Sequence, residues 1–203
     1  MPSTPEVRIA CLIPSATAIC LSLGLEKHIV GITHECHDSL GNDIQSLNKS
    51  IRILTRNGLE NVDSQDEIHK AISSSSPPSD SCERDNIPSF YPLLQDEIEI
   101  AKPNVIITQD LCAVCAPTSN EVRGRVKEED DIVIVSLAPT TLNEVAESFE
   151  IVGRACGVED RGLALRNEWW EKLHQFQNAI QNSRNNSTTF PKVFILELSL
   201  IHI

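Results

Sequence analysis

The chain has 203 residues, 40% of them hydrophobic, which supports a packed core and argues against wholesale disorder. Seventeen Lys and Arg against 29 Asp and Glu leave a formal charge of −12. That balance excludes the basic face a nucleic-acid binder needs to neutralise phosphates. No apolar run approaches the roughly 18 residues that span a bilayer. The first residues lead directly into a strand pattern, without the charged segment and long apolar stretch of a secretory signal. Seven widely scattered Cys, an odd number, fit reduced thiols better than a disulfide framework. Together these features predict a cytoplasmic protein.

Short apolar runs, each followed by a helical pattern, recur along the chain. Arg8 to Ile13 reads as the first strand, ending at Pro14, with Ser15 placed to cap a helix that Gly24 closes. Ile29 to Thr33 and Ile51 to Leu54 are the second and third strands, followed by a short helix from Asp63 to Ile72. Residues 73–90 begin with a Ser-rich, Pro-containing stretch and read as a loop insertion. Pro92 suits the first turn of a helix ending near Ala101. Val105 to Thr108 is the fourth strand. Thr118 with Glu121 then reads as a capping box for a helix to about Lys127, and Ile132 to Ser136 is the fifth strand.

The texture then changes. Thr141 and Glu144 form a second capping box, opening a helix that ends at Gly157. Glu159 to Ser183 is helical without an internal Pro, roughly 37 Å long at 1.5 Å per residue. A polar linker leads to a last strand, Lys192 to Leu198. The expected class is α/β: a parallel five-stranded sheet over residues 8 to about 136, with right-handed crossovers and helices on both faces. The domain reading is an amino-terminal lobe at 1–139, a backbone-helix region at 140–185, and the start of a truncated second lobe at 186–203.

In an open parallel sheet, ligands bind outside the carboxyl ends of the strands. The polar clusters of this sequence collect there: Pro14-Ser15, then Thr33 to Asp38, then Thr55-Arg56-Asn57, then Gln109 to Cys115. His34-Glu35-Cys36-His37 packs four metal-binding types into four residues, and Cys112 with Cys115 adds two thiols at zinc or redox spacing. Cys36, Cys112 and Cys115 are therefore candidates for metal or thiol chemistry. Equally, they read as small buried hydrophobes beneath the loops. No phosphate loop and no dinucleotide fingerprint appears.

The segments Leu12-Ile-Pro-Ser-Ala-Thr-Ala18, Val30-Gly-Ile-Thr-His-Glu-Cys36, Ile51-Arg-Ile-Leu-Thr-Arg56 and Pro103-Asn-Val-Ile-Ile-Thr-Gln-Asp-Leu-Cys-Ala-Val-Cys-Ala-Pro117 resemble one family. It is the cobalamin-binding, periplasmic-type substrate-binding proteins, in a Cys-containing branch. The resemblance runs over residues 7 to about 198. It implies two α/β lobes joined by a long backbone helix, with a corrinoid or related metal chelate clamped between them, and no enzymatic activity. On this reading Ser15, Thr33, His34, Glu35, Gln109 and Asp110 contact the ligand. Transport members hand the ligand to a membrane permease, a partner that the missing signal segment argues against here. The competing reading is a thiol- or metal-dependent redox domain using Cys36, Cys112 and Cys115.

Overall fold

The structure is a computed structural model that describes residues 6–41, 47, 50–58, 64, 66, 91–111, 115–126 and 131–185, the side chains of residues 37, 38, 184 and 185 excepted. Two compact units are present, Met1–Arg166 and Asn167–Ile203. In chain order the described elements are β1 (Ile9–Cys11), α1 (Pro14–Ser22), β2 (Ile29–Ile32), α2 (Cys36–Leu40), β3 (Arg52–Ile53), α3 (Gln95–Ala101), β4 (Val105–Thr108), α4 (Ser119–Arg123), β5 (Val133–Ser136), α5 (Leu142–Ala155) and α6 (Glu159–Asn185).

The five strands form one sheet in the order β3-β2-β1-β4-β5, and every pairing is parallel. β1 lies at the centre, Cys11 opposite Ile32 on one side and Ile107 on the other. All three residues of β1 and all four of β4 are buried, as expected for strands covered on both faces. Alternate residues feed two cores. Ile9, Cys11, Val105 and Ile107 join α1 and α5 residues such as Ala16, Cys20 and Val152 on one face. Ala10, Leu12 and Ile106 join Ile98 and Ala101 of α3 and Val122 of α4 on the other.

Helix boundaries follow local chemistry, with three departures from expectation. Ser15 does not cap α1: Ile13 occupies the cap position without a side-chain bond, and Pro14 starts the helix. Proline's fixed φ and missing N–H suit that first position, which moves Ser15 into the helix itself. Pro92 lies ahead of α3 rather than in its first turn, because the chain at 92–94 is bonded to the segment just after β3: Arg56 N–H donates to Pro92 O (3.3 Å) and Leu94 N–H to Leu54 O (2.8 Å). α4 stops at Arg123, short of Lys127, where Gly124 takes the cap position.

Thr118 does cap α4, accepting from Glu121 N–H, and Thr141 with Glu144 makes a full capping box on α5. Gly24 (φ 68°) and Gly157 (φ 73°) adopt the left-handed conformation that ends the preceding helices. α5 and the start of α6 approach closely: a Cβ on Gly162 would lie 2.6 Å from Phe149 O, and one on Gly153 would lie 3.0 Å from Gly162 Cα. In the second unit, Trp169 and Trp170 pack edge to face with ring centroids 5.0 Å apart, and Glu168 pairs with Lys172 at 2.6 Å. The helix expected at Asp63 to Ile72, the 73–90 insertion and the strand at Lys192 to Leu198 fall outside the described residues, apart from isolated positions.

Candidate functional site

Strand order decides where a ligand can sit. From β1 the chain steps outward through β2 to β3, then returns to place β4 on the opposite side of β1. The crossovers therefore diverge between β1 and β4, the position at whose carboxyl ends open α/β sheets hold their ligands. Ser15 follows β1 and is exposed in the first turn of α1. Gln109 and Asp110 follow β4, half-buried and exposed respectively, and Leu111 beside them exposes 58% of its surface. Thr33, His34 and Glu35 leave the neighbouring strand β2 at the same edge.

The loop after β2 is held by a hydroxyl from β3's continuation. Thr55 is buried, and its Oγ1 lies 2.8 Å from Thr33 Oγ1 and 2.8 Å from His34 Nδ1, while accepting from His34 N–H at 3.2 Å. Thr33 is itself buried, so its hydroxyl serves this network. The His34 ring is tilted against Tyr91, with centroids 5.1 Å apart. Its Nε2 lies 3.4 Å from Glu35 Oε1, an ion-pair approach for a protonated ring. The approach lacks hydrogen-bond geometry, and the buried Nε2 has no hydrogen-bond partner among the described residues.

Asp110 is tied down differently. Its carboxylate accepts from Ser119 N–H and Ser119 Oγ, both at 2.8 Å, fastening the β4 loop to the start of α4. Partial burial pushes its pKa up, but hydrogen bonds from Ser136 and Ser119, with the Arg123 charge, outweigh it and hold the carboxyl below its ordinary value. Just behind, the buried Thr108 hydroxyl donates to Pro117 O.

Of the three thiols that the competing reading uses, two are described, and they stand in different settings. Cys36 is fully buried at the start of α2 with its Sγ 3.2 Å from Thr17 Oγ1, whereas Cys115 is exposed. Burial pushes the Cys36 thiol up to about 11, the Thr17 hydrogen bond opposing. A metal ligand or nucleophile needs a thiolate, which this setting disfavours. Cys112 lies outside the described residues. Among the described residues no group of three or more His, Cys, Asp or Glu side chains could hold a metal ion.

Three contributors escaped the sequence reading: Tyr91, Ser119 and Ser136. Only Ser119 carried a usable signal, standing beside the capping Thr118. Tyr91 reaches His34 because the 92–94 segment lies beside residues 54–56, which follow β3, with Thr55 bridged to Leu93. A separate cavity of about 530 Å³ lies at the opposite edge of the sheet, lined by Lys102, Pro103 and Asn104 before β4 and Ile132 before β5. It lies before β4 and β5, at the amino ends of the strands, whereas open parallel sheets hold ligands at the carboxyl ends. No described helix is long and apolar enough to cross a membrane.

No family model and no curated protein matches the chain. Solved structures do. One is described as a possible iron-binding (periplasmic solute-binding) protein from Staphylococcus epidermidis, with TM-score 0.55 and 18% identity, covering 91% of this chain and 53% of that one. The periplasmic heme-binding protein RhuT from Roseiflexus sp. RS-1 matches with TM-score 0.53 and 16% identity, covering 92% and 53%. A periplasmic heme-binding protein from Pseudomonas aeruginosa matches with TM-score 0.56 and 13% identity, covering 91% and 50%. The chain spans about half the length of these proteins. The expected cytoplasmic location does not stand against this likeness, because all three are periplasmic proteins and point outside the cytoplasm. Cysteine count and the first few residues were poor witnesses to compartment: five described cysteines stand outside any disulfide, four of them buried, and a buried thiol occurs in any compartment. The parallel sheet with its flanking helices thus has the fold that periplasmic solute-binding proteins show over about half their length.

Proposed function

We propose that this chain binds a planar metal chelate, of the corrinoid class or the related heme class, at the carboxyl edge of its sheet. The observation that carries the reading is the divergence of crossovers between β1 and β4, in a fold shared with heme- and iron-binding proteins. Binding rather than catalysis is supported by the same likeness, since those proteins are solute-binding proteins. The work is burial of one face of a large flat ligand together with a few polar contacts. Leu111 offers apolar surface there, and Ser15, His34, Glu35 and Gln109 offer the polar groups. Thr33 and Asp110 act by holding their loops, as their hydrogen bonds imply.

The test is absorbance titration of the chain with hydroxocobalamin and, separately, with hemin. A saturable spectral change with either, weakened in the S15A/H34A/Q109A variant, supports the proposal. No saturable change with either chelate at millimolar protein overturns it.

A further inference from the structure

A chelate held at the carboxyl edge of the sheet leaves the cavity of about 530 Å³ at the amino edge without a role. That volume falls in the range of small-molecule sites. One wall is α3, and the other is formed by residues that follow α4 and precede β5. Ile98 of α3, with Val126 and Ile132 packed against the same core, gives the cavity its apolar lining. Lys102, Arg125 and Glu99 line it as exposed charged groups. Gln95 Nε2 donates to Glu99 Oε1 and to Arg125 O, both at 3.0 Å, so one amide ties the two walls together and engages the carboxylate. Neither Lys102 nor Arg125 forms an ion pair among the described residues. Two cations against one carboxylate leave a single net positive charge beside apolar surface, in a chain whose formal charge is −12. Lys102 stands there at a backbone cost. It closes α3 in the left-handed conformation, φ 44°, where glycine is the usual residue because a Cβ is disfavoured. A side chain is nonetheless placed at this position, and it lines the cavity. Strained residues of this kind concentrate at ligand sites.

We propose that this cavity binds an amphiphilic monoanion, a carboxylate carried on an apolar chain or ring. The carboxylate pairs with Arg125, whose planar fork matches its two oxygens, and with Lys102 as a point charge. The apolar body of the ligand covers Ile98, Val126 and Ile132 and removes their cavity-facing surface from water. Charge balance selects the monoanion. One negative charge neutralises the net positive charge of the lining, whereas a phosphate dianion adds an uncompensated charge beside Glu99. The site is independent of the chelate site, which lies at the other end of the strands and uses none of these residues.

Isothermal titration of the full chain with octanoate tests this, beside octanamide (the same body without the charge) and acetate (the charge without the body). Octanoate is expected to bind saturably, with octanamide and acetate each weaker by about tenfold or more, since each lacks one of the two contributions. R125Q and K102G each weaken octanoate by about tenfold, the scale of one charge-assisted hydrogen bond. R125K, which keeps the charge and loses the fork, recovers part of that loss. K102G also relieves the strained backbone, so it is expected to fold at least as well as the parent. S15A/H34A/Q109A, altered only at the carboxyl edge, binds octanoate as the parent does. Absence of saturable octanoate binding at millimolar concentration, equal affinity for octanamide, or unchanged binding in both R125Q and K102G overturns the proposal. So does loss of octanoate binding in S15A/H34A/Q109A, which would move the ligand to the carboxyl edge. The parent's preference for octanoate over octanamide decides the matter even where a variant does not fold.

Discussion

Thr55 Oγ1 lies 2.8 Å from His34 Nδ1, so the end of one strand determines where the imidazole on the next one stands. The same hydroxyl meets Thr33 Oγ1 and the His34 backbone N–H, all within a region closed to water at Thr55. Thr55→Val keeps the shape and deletes these bonds, leaving buried polar groups unpaired at about 1–3 kcal/mol. Urea unfolding of T55V is expected to show that loss. T55S, which retains the hydroxyl, is expected to recover most of it, and equal stability of all three proteins would show that the network is incidental.

Gly162 is a packing requirement. A methyl there meets backbone, Phe149 O at 2.6 Å and Glu150 Cα at 3.1 Å, and backbone cannot rotate away as a side chain can. Gly162→Ala is expected to force α6 off α5 and destabilise the chain by about 1–3 kcal/mol, the usual cost of overpacking. Thermal unfolding measures it. Gly157→Ala tests a different cause, because no atom lies within 4 Å and only its φ of 73° is strained.

Capping can be measured separately. Thr141 accepts from Glu144 N–H at 3.2 Å, and Glu144 Oε2 accepts from Thr141 N–H at 3.1 Å. Thr141→Ala is expected to cost about 1 kcal/mol. Hydrogen exchange concentrated in the first turn of α5 distinguishes this local loss from global damage.

Acid should weaken the β4 loop. Asp110 has its folded-state pKa depressed below the unfolded value of about 3.9. Its contribution is therefore fully present above that value and is lost as pH falls through the lower folded one. Glu144, held below its ordinary value by hydrogen bonds from Thr140 and Thr141, titrates in the same direction. Melting temperatures followed from pH 7 to pH 2 are expected to fall less steeply at the acid end in Asp110→Asn than in the parent. Parallel acid limbs would reject this role for Asp110.

For the proposed ligand, His34→Ala is expected to weaken chelate binding about tenfold, equivalent to ~1.4 kcal/mol. Titration at fixed ionic strength checks this, and an unchanged affinity removes His34 from the contact set.

Much of the architecture was legible without coordinates. Five apolar runs interleaved with helical patterns sufficed for a parallel α/β sheet, because buried parallel strands need apolar residues on both faces. Thr141 with Glu144 shows how local such signals are, acting over three residues. What the sequence could not contain was distance between remote segments. Strand order, with β4 beside β1, places the candidate site, and no local pattern encodes which strands become neighbours. Tyr91 meets His34 only because the backbone at 92–94 binds the residues just after β3. Cys36 shows the same division: its sequence neighbours suggested a ligand set, but side-chain direction at the start of α2 turns it into the core against Thr17. Residue type and spacing settle local conformation, whereas burial and partnership depend on long-range packing, which exists only once the sheet has closed.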